Sequence, residues 1–496
     1  MKPPPRRSTP GFTRRVVGAV FSVGWVALVV VAPLAAAWVA SSRAAHAGWS
    51  VGAAAASGLL VFPVLPVVWE AFASWRKARR PTRGRSYFTR TDRLVLRTLA
   101  VSLALILGLV VHDPAATFVA LNSRGDWMLD GRHDPHAETA RRALFWTAER
   151  FALLARVTDD NPFRPGTTVR PVPRPLPTYE AAVAPPVTDG AALGLPPGPP
   201  PPPAAPRDPH AWPWDEAQHP AVAALSPADE ASPEAVGRAL AAAEPDPWRL
   251  ARAVHDYVSD RVAYDVASYR TGVYPPQDAA TTFRSRRSVC AGYAALFEAI
   301  GRAAGLTVET VTGRARGMVT TGMGEGHAWN AVRLDDRWHL VDTTWDAGYV
   351  NAEGFHKRYG TRYFLTPPEV FVAKHFPDDP RWQLLPTART EGEYMRAPAL
   401  DPGFFAQGLR LVSPDRAESD ARGEVVVTVD NPRRVSVMVT VRPDGGPSSP
   451  CAATGDAVVT ARCPLRGADL HEVVFFTAER RVGTHWSVGA VRVHNR

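Results

Sequence analysis

Cysteine is scarce in this chain, which has only Cys290, Cys451 and Cys463 among its 496 residues. An odd number of cysteines excludes complete pairing into disulfides and leaves one thiol over in an exported protein. Cys451 and Cys463 flank a turn-rich stretch of a β-like region, so a disulfide between them would leave Cys290 free. Three unpaired, buried thiols are the other interpretation, and the sequence leaves both open.

Acidic residues are fewer than basic ones, 48 against 57, which gives a net charge of +9. Much of the basic excess lies in about the first hundred residues, beside long apolar runs, and this pattern indicates membrane topology rather than nucleic-acid binding. We therefore expect no nucleic-acid partner. The chain also has 48 prolines, which predicts a long non-globular stretch beside the folded domains rather than one large core.

Three apolar runs near the N-terminus predict transmembrane helices, at about 16–40, 48–69 and 94–111. About 20 apolar residues in helical form cross the hydrocarbon layer of a membrane. The second run is the weakest of the three, because Pro63 and Pro66 interrupt it and Glu70 follows it, so a re-entrant segment is the alternative. Arg97, near the start of the third run, could extend its charge to the membrane surface.

The charges that flank these runs predict their orientation. Only Arg43 lies between the first two runs, whereas a series of basic residues from Arg76 to Arg93 separates the second from the third. Because loops rich in Lys and Arg stay in the cytoplasm, we expect a multi-pass cell-membrane protein with its N-terminus inside and everything after about residue 112 outside. A cleaved signal peptide ending near Ala35 is the alternative, but two further apolar runs follow it.

Composition divides the chain into four regions: a membrane region 1–112, an extracytoplasmic linker 113–225, a core 226–386 and a β region 400–496. Within the linker, Ala137 to Val157 has helical periodicity. From about residue 161 the linker is dominated by Pro, Ala and Gly, with a proline run at 196–203. Such a segment cannot bury enough apolar surface to fold and favours extended polyproline II, so it predicts a semi-rigid stalk.

The core has the pattern of an α+β domain, with helices first and antiparallel strands after them. Ser232-Pro233 and Asp246-Pro247 are typical helix starts, each a capping residue followed by proline. Strand-like runs follow at 307–312, 327–334 and 337–344. From about residue 401 the pattern is all β, and we expect a small β-sandwich that serves as a binding or packing module.

Cys290, His327 and Asp342 have the residue types of a nucleophile, its base and the group that orients the base. Cys290 opens an apolar, helix-like run. A position in the first turn of a helix would place partial positive charge near its sulfur and supply N–H groups to an oxyanion. Taken singly, a core cysteine or a strand histidine is usually structural, but the combination favours a catalytic site.

Hairpin geometry tests whether His327 and Asp342 can meet. If Asp335 and Asp336 form a two-residue turn, His327 and Asp342 fall on one face of the hairpin, diagonal to each other. A slip of one residue would place them on opposite faces. Asp346 has the same parity but lies beyond the end of the hairpin, so Asp342 is the preferred partner.

The segments around these residues resemble motifs of the transglutaminase-like superfamily. The stretch 288–294 is similar to its nucleophile motif, 326–330 to its histidine motif and 341–346 to its aspartate motif. The likeness covers about 245–386 well and the β region weakly, and it is closer to the kyphoscoliosis-peptidase-like branch, in which a β domain follows the core. The resemblance implies a papain-like α+β fold.

The resemblance also implies roles: Cys290 as nucleophile, His327 as base and Asp342 as orienter, with acyl transfer through a thioester to water or an amine. We expect no cofactor and no metal. We see no clustered acidic loop of the kind that binds calcium, so hydrolysis is favoured over calcium-controlled cross-linking. We expect a cysteine peptidase or amidase acting on an extracytoplasmic protein, peptide or cell-wall peptide. A transglutaminase and a non-catalytic scaffold are the alternatives, and the oligomeric state is left open.

Overall fold

The structure of the protein is a computed structural model. It describes eight parts of the chain, residues 12–79, 87–132, 134–154, 163, 183–187, 210–317, 322–478 and 483–496. The chain divides into two compact units, Met1–Val157 and Thr158–Arg496. The proline run at 196–203, the centre of the predicted stalk, lies outside the described residues.

The first unit is helical in its described residues. Its helices are α1 (Phe12–His46), α2 (Val51–Leu59), α3 (Leu65–Ala78), α4 (Arg90–His112), α5 (Pro114–Arg124) and α6 (Pro135–Leu154), with a 3-10 turn at Trp127–Leu129. Between α2 and α3 the chain makes a π-helical turn at Leu60–Val64, in which Phe62 has the extended angles φ −145 and ψ 121. The break fits the presence of Pro63, which has no N–H to donate and restricts the residue before it.

Two segments of the described chain are long and apolar enough to cross a membrane, Gly24–His46 and Val51–Ala78. These helices are weakly compatible with membrane association. The third predicted run forms α4, and its role as a span stays a prediction, as does the orientation. Arg97 in α4 pairs with Glu70 in α3, and the extension of its charge to a membrane surface stays a prediction. Glu70 is only 4% exposed, and a buried carboxylate requires a cationic partner.

The second unit combines helices and strands. Its helices are α7 (Pro220–Ala223), α8 (Pro233–Ala243), α9 (Pro247–Arg261), α10 (Val266–Thr271), α11 (Ala279–Ser285), α12 (Cys290–Ala303), α13 (Thr343–Ala347), α14 (Pro368–Phe371), α15 (Glu391–Arg396) and α16 (Pro402–Ala406), with a 3-10 turn at Pro380–Gln383. Strands β1 to β10 are Val183–Val187, Ala263–Tyr264, Arg287–Ser288, Thr307–Ala315, Glu325–Leu334, Arg337–Val341, Gly348–Asn351, Gly354–Lys357, Phe364–Thr366 and His375–Pro377. Strands β11 to β20 are Ala399–Leu400, Arg410–Ser413, Glu418–Ala421, Glu424–Asp430, Ser436–Pro443, Ser449–Pro450, Ala452–Thr454, Val458–Pro464, Leu470–Ala478 and Gly483–Asn495.

The helix starts predicted from the sequence are confirmed. The side chain of Ser232 accepts the N–H of Ala235 at 3.2 Å and so caps α8. Asp246 caps α9 in the same way through the N–H groups of Trp248 and Arg249, both at 2.9 Å. These caps satisfy N–H groups that have no partner inside the helix. The apolar faces of α8, α9 and α12 then share one buried core, which includes Val236, Leu240, Val254, Tyr257, Leu296 and Phe297.

A five-stranded sheet in the order β10-β4-β5-β6-β9 packs on this core. The β5–β6 hairpin has the predicted register, with Leu334 opposite Arg337. Its turn residues Asp335 and Asp336 have φ of 46 and 62, both in the left-handed region that a two-residue type I′ turn requires. Aspartate tolerates this region better than most residues, which explains why the turn can dispense with glycine.

The C-terminal strands form two sheets around one core. One sheet contains the path β1-β20-β19-β15-β16 and the other the path β12-β14-β18-β17, and alternate side chains of both sheets are buried together. The strand β1 lies within the predicted stalk but pairs antiparallel with β20. At Val183–Val187 the stalk prediction is therefore wrong, since an open sheet edge offers the N–H and C=O groups that an extended segment can pair with.

Cys451 and Cys463 form a disulfide with a Cα–Cα distance of 4.6 Å, whereas Cys290 is free and buried. The interpretation of three unpaired thiols is therefore wrong. All three cysteines lie in described residues, so Cys290 is the single free thiol of the chain.

Replacing Cys451 and Cys463 together by alanine should lower the free energy of unfolding of the β region by about 3 kcal/mol, because the bond closes a loop of 12 residues. Amide hydrogen exchange should show the loss as faster exchange in β17 and β18, with β4 and β5 as the internal control. Unchanged exchange in β17 and β18 would contradict a stabilising bond.

Candidate active site

The candidate nucleophile, Cys290, is the first residue of α12, as predicted. The N–H of Gly292 bonds to the carbonyl of Val289 at 3.0 Å, which leaves the N–H groups of Cys290 and Ala291 as candidate oxyanion donors. A Cβ at Gly292 would lie 1.9 Å from Oγ of Ser288. Only glycine therefore allows this close approach at the start of α12, which holds Cys290 in place.

The candidate base, His327, lies on β5 and is joined to α12 by its neighbours. The side-chain amide of Asn330 donates to the carbonyl of Ala294 in α12 at 3.0 Å. Cys290, Ala294 and Ala328 form a small buried cluster between the helix and the strand. Small side chains and one buried hydrogen bond thus set the separation between the thiol and the imidazole.

His327 and Asp342 meet, as the hairpin count predicted. Nε2 of His327 lies 2.8 Å from Oδ2 of Asp342, and the two residues are 7% and 0% exposed. The ladder between β5 and β6 ends at the pair Asn330–Val341, one position before Asp342. The histidine and the carboxylate therefore come together just past the end of regular pairing.

The predicted strand 337–344 is wrong beyond Val341, because the chain turns into α13 there. Oδ1 of Asp342 accepts the N–H groups of Thr344 and Trp345 at 2.9 and 3.2 Å and caps this short helix. The carboxylate thus uses one oxygen to cap the helix and the other to bind the histidine. This double use fixes its orientation.

The charges at the site shift the pKa values of His327 and Asp342. Burial acts to lower the pKa of His327, but the negative charges of Asp342 and Cys290, together with hydrogen bonds to both, raise the pKa to about 10. Burial likewise opposes ionisation of Asp342, and the hydrogen bonds and charge of His327 outweigh it and hold the pKa of Asp342 well below its usual range. At neutral pH the arrangement therefore favours an imidazolium at His327 beside a carboxylate at Asp342.

A second histidine at the site, His375 on β10, was not predicted. Its Nε2 lies 2.9 Å from Oδ2 of Asp342, the oxygen that His327 also binds. Burial, and after it the positive charges of His327 and Lys374, lower the pKa of His375 to about 4, so it is neutral at pH 7 and donates Nε2–H. The histidine is wholly buried among aromatic rings, with centroid distances of 4.1 Å to Phe371, 4.5 Å to Trp345 and 5.1 Å to Trp329.

No sequence signal marked His375, because its strand pairs with β4 at the edge of the sheet and the two strands are far apart in the chain. The residue stands in no motif with His327 or Asp342. Only the sheet order brings it to the carboxylate.

Changing His375 to leucine should lower kcat/KM of acyl transfer by about 10- to 100-fold, the value of one hydrogen bond to a buried charge. Without this donor the carboxylate of Asp342 is held less firmly, and its negative charge, no longer shared with His375, acts on His327 alone. The rate should therefore fall while the alkaline limb of the pH profile moves to higher pH, which a purely structural role would not cause. His375→Gln, which keeps an N–H donor, should recover part of the loss. An unchanged pH profile in both variants would refute the positioning role.

Asp346, the alternative orienting residue, serves a different network. Its carboxylate lies 3.1 Å from Nε2 of His255 and accepts the N–H of Tyr363 at 2.9 Å. These contacts join α9, α13 and the chain before β9 in the buried interior. The preference for Asp342 therefore agrees with the geometry.

Phe163, in the predicted linker, also reaches the site. Its half-buried side chain packs against the cluster of Cys290, Ala294 and Ala328 and lies edge-on to Tyr274 with a centroid distance of 5.6 Å. Cys290 is 2% exposed. A linker residue thus covers part of the approach to the thiol, which linker composition alone could not indicate.

His327, Asp342 and His375 also have the composition of a metal site, and their ligand atoms lie within 4.8 Å of one another. Each histidine Nε2 is within 2.9 Å of the same carboxylate oxygen, a hydrogen-bond distance. A divalent ion such as zinc binds imidazole nitrogen and carboxylate oxygen at about 2.0–2.2 Å, and it would have to take the place of both bridging protons. The geometry fits a hydrogen-bonded carboxylate better than a coordinated one.

A thiol at a helix start, with an imidazole on a neighbouring strand and a carboxylate behind it, defines a cysteine-based fold of the acyltransferase and peptidase type. Residues 234–343 match the family model of the transglutaminase-like superfamily. The matched residues include Cys290, His327 and Asp342. The chain therefore contains a transglutaminase-like domain.

Among known proteins, this part of the chain is similar to the kyphoscoliosis peptidases. Human kyphoscoliosis peptidase is 32% identical over 249 residues, which cover 45% of this chain and 37% of that protein. The mouse protein is 31% identical over the same length and shares. The LIM and transglutaminase domain protein ltd-1 of Caenorhabditis elegans is 32% identical over 130 residues, 24% of this chain and 17% of that protein.

These matches are partial, because the chain spans little more than a third of the length of kyphoscoliosis peptidase. A solved structure titled "Crystal structure of a TGase" is 20% identical and covers 26% of this chain and 34% of that one, with a TM-score of 0.20. That score adds nothing to the family assignment. The family assignment rests on the family model and on the relatives.

Proposed function

We propose that this protein is a membrane-anchored cysteine peptidase or amidase that acts on an extracytoplasmic peptide or protein. The observation that carries the proposal is the geometry around His327, which binds Asp342 at 2.8 Å through Nε2 and whose neighbour Ala328 packs against Cys290. Since Nε2 is engaged by the carboxylate, Nδ1 is the nitrogen left for the sulfur. With one ring nitrogen for each partner, Cys290 can act as nucleophile, His327 as base and Asp342 as the group that orients the base.

Acylation begins with attack of the Cys290 thiolate on a carbonyl carbon of the substrate. A C–S bond forms, and the negative charge that develops on the carbonyl oxygen is directed at the N–H groups of Cys290 and Ala291 at the start of α12. His327 then gives its proton to the departing amine, and the C–N bond breaks. A thioester on Cys290 and a free amine result.

Deacylation reverses the proton movement. His327, now neutral, takes a proton from water as the water oxygen attacks the thioester carbonyl, and the C–S bond breaks to return the thiolate and the imidazolium. A primary amine in place of water would give an amide instead. The side chains that hold His327 and Asp342 serve either acceptor equally.

The proposed location, anchored in a membrane with the second unit outside the cytoplasm, is supported by the sequence as well as by the structure. The two apolar helical segments Gly24–His46 and Val51–Ala78 support a membrane anchor. The basic residues between the second and third apolar runs favour a cytoplasmic loop there. The disulfide Cys451–Cys463 supports an oxidising compartment for the second unit.

p-Nitrophenyl acetate tests the chemistry without knowledge of the natural substrate, because any activated thiolate can attack this ester. We expect a burst of about one p-nitrophenolate per chain, as covalent catalysis predicts, and an acetyl group on Cys290 by peptide mass spectrometry. Acetylation elsewhere in place of Cys290, or none, would contradict the proposal.

A separate experiment tests whether water or an amine accepts the acyl group from the thioester. Incorporation of a labelled primary amine into a glutamine-containing protein would identify a transglutaminase, whereas release of free acid alone would identify a hydrolase. Wild type and Cys290→Ala should be compared in both assays. Only a product that wild type forms and Cys290→Ala does not form shows which acceptor the Cys290 thioester uses.

A further inference from the structure

A cavity of about 210 Å³ opens beside His327 in the second unit. Eight of the 20 residues that line it are phenylalanine, tyrosine or tryptophan, so aromatic rings form most of its apolar surface. Pockets for complete small-molecule ligands measure about 300–1,000 Å³, and this cavity is smaller. It therefore suits one side chain of a longer molecule, such as a polypeptide whose backbone passes His327.

Two aromatic residues of the wall connect the cavity to the candidate nucleophile. Tyr264 on β2 pairs with Ser288 on β3, two residues before Cys290. The side chain of Phe163 packs against the cluster that contains Cys290 and also lines the cavity. An aromatic side chain of the chain itself thus already lies between the thiol and this wall. A substrate whose carbonyl carbon meets the sulfur of Cys290 can therefore direct a neighbouring side chain into the cavity.

Most charged residues of the wall are already engaged within the protein. Arg362 and Lys374 lie 3.1 and 3.6 Å from the carboxylate oxygens of Asp401, which is 1% exposed. The hydroxyl of Tyr269 donates to the carboxylate of Glu325 at 2.7 Å. An anionic ligand would have to compete with a buried carboxylate for both cations, and such competition leaves a buried charge without its partner. The wall therefore does not favour an acidic side chain.

A third cationic residue of the wall, Arg358, stacks on an aromatic ring. Its guanidinium lies 3.7 Å from the centre of the Trp486 ring, and this contact holds the tryptophan of β20 at the edge of the cavity. With three cationic side chains against the carboxylate of Glu325, a basic side chain of a ligand would meet like charge. The ligand that the wall favours is therefore uncharged and apolar.

The rings of the wall favour an aromatic ligand over an aliphatic one. The ring centroid of Tyr264 lies 6.1 Å from that of Tyr269 and 6.5 Å from that of Phe355. Trp345 and Tyr363 meet edge-on, with a centroid distance of 5.1 Å. A further ring placed among them would meet ring edges and faces, and such pairs stabilise a complex beyond the area that they bury.

We propose that this cavity is a specificity subsite that binds an aromatic side chain of the polypeptide substrate, within two residues of the bond attacked by Cys290, with Tyr264 and Trp486 in its wall. The inference rests on the proposed function and adds the class of substrate, a polypeptide with an aromatic residue beside the attacked bond. It also gives the C-terminal strands a role, since β20 supplies Trp486 to the subsite.

Three matched dipeptide vinyl sulfones test the subsite. They differ only in the two residues next to the electrophile, which are both Phe, both Ala or both Glu. The Cys290 thiolate adds to the vinyl carbon, a C–S bond forms and the His327 proton goes to the carbon next to the sulfone. We expect the Phe probe to label Cys290 about 10- to 100-fold faster than the Ala probe, from burial of one aromatic side chain. The Glu probe should be no faster than the Ala probe.

Trp486→Ala should lower the ratio of the Phe rate to the Ala rate by about 2- to 10-fold, the value of one aromatic pair. The ratio is measured within one variant, so a loss of folded protein lowers both rates together and leaves it unchanged. Trp486→Phe, which keeps a ring, should retain most of the preference.

Trp146→Ala is the matched control. Trp146 is also a partly exposed tryptophan with an arginine over its ring, Arg150 at 5.1 Å, but it does not line the cavity. This control should leave all three labelling rates unchanged. An equal fall of the ratio in Trp146→Ala and Trp486→Ala would contradict the role of Trp486.

Failure of the subsite and failure of the proposed function are distinguishable. If wild type is acetylated at Cys290 by p-nitrophenyl acetate but labels equally with the Phe and Ala probes, or fastest with the Glu probe, the subsite is refuted and the proposed function stands. If Cys290 reacts with neither p-nitrophenyl acetate nor the probes, the proposed function fails, and the subsite that depends on it fails too.

Discussion

Cys290→Ala should abolish thiol-dependent acyl transfer, lowering the rate of acylation by about 10⁴- to 10⁶-fold, the range found when a covalent nucleophile is removed. The reason is chemical, because alanine cannot form the thioester and Cys290 is the one free thiol of the chain. Release of p-nitrophenolate from p-nitrophenyl acetate, followed by mass spectrometry, measures the effect. The substitution removes one sulfur atom from a small cluster, so the fold should persist.

The matched control is the double change of Cys451 and Cys463 to alanine, which removes the other two sulfurs and leaves Cys290 in place. Its acetylation should match wild type. Equal acetylation of wild type and Cys290→Ala would show that the thiol is not the nucleophile. A biological role retained by Cys290→Ala would favour the non-catalytic alternative, in which the domain binds without reacting.

Asp342→Asn should lower kcat/KM by about 10⁴-fold, the effect of neutralising the carboxylate that orients a catalytic histidine. An asparagine carries no charge to stabilise the imidazolium. Its amide can also present an N–H to Nε2 of His327, which would favour the wrong tautomer. Circular dichroism should show that the fold remains, since Asn can still cap α13 through its side-chain oxygen.

The same substitution should also shift the pH profile, in a direction that follows from the pKa of His327. The pKa of His327 is raised to about 10, and Asp342 is the larger of the two charges that raise it. Loss of that charge should move the alkaline limb of the profile down by about 1–3 pH units. Asp336→Asn, in the turn of the same hairpin, is the control and should change neither rate nor profile. An unshifted limb in Asp342→Asn would refute the ion pair.

The hairpin shows how much of the site could be predicted. Counting from the turn at Asp335 and Asp336 placed His327 and Asp342 on one face, because side chains alternate strictly along a strand and a two-residue turn admits one register. The same counting continued the second strand too far. It could not foresee that Asp342 would cap α13, since that depends on backbone N–H groups which turn towards the carboxylate only in the folded chain.

Other residues near the site could not be predicted from the sequence at all, namely His375, Phe163 and Trp486. Each comes from a segment far along the chain from Cys290 and each reaches the site through a different contact: an edge strand, a linker residue and a C-terminal strand. None stands in a local pattern of its own. Their approach depends on strand order and domain packing, which short-range spacing does not encode.

The sequence by itself determined the local features of this protein: the helix starts at Ser232 and Asp246, the turn register, the position of Cys290 at the head of α12 and the partnership of His327 with Asp342. These follow from capping chemistry and from the periodicity of helices and strands, which act over a few residues. Only the tertiary structure decided that Asp342 binds a second histidine and that a cavity lined by aromatic residues opens beside His327. Those features arise from contacts between distant segments, whose energies are settled only when the whole core packs.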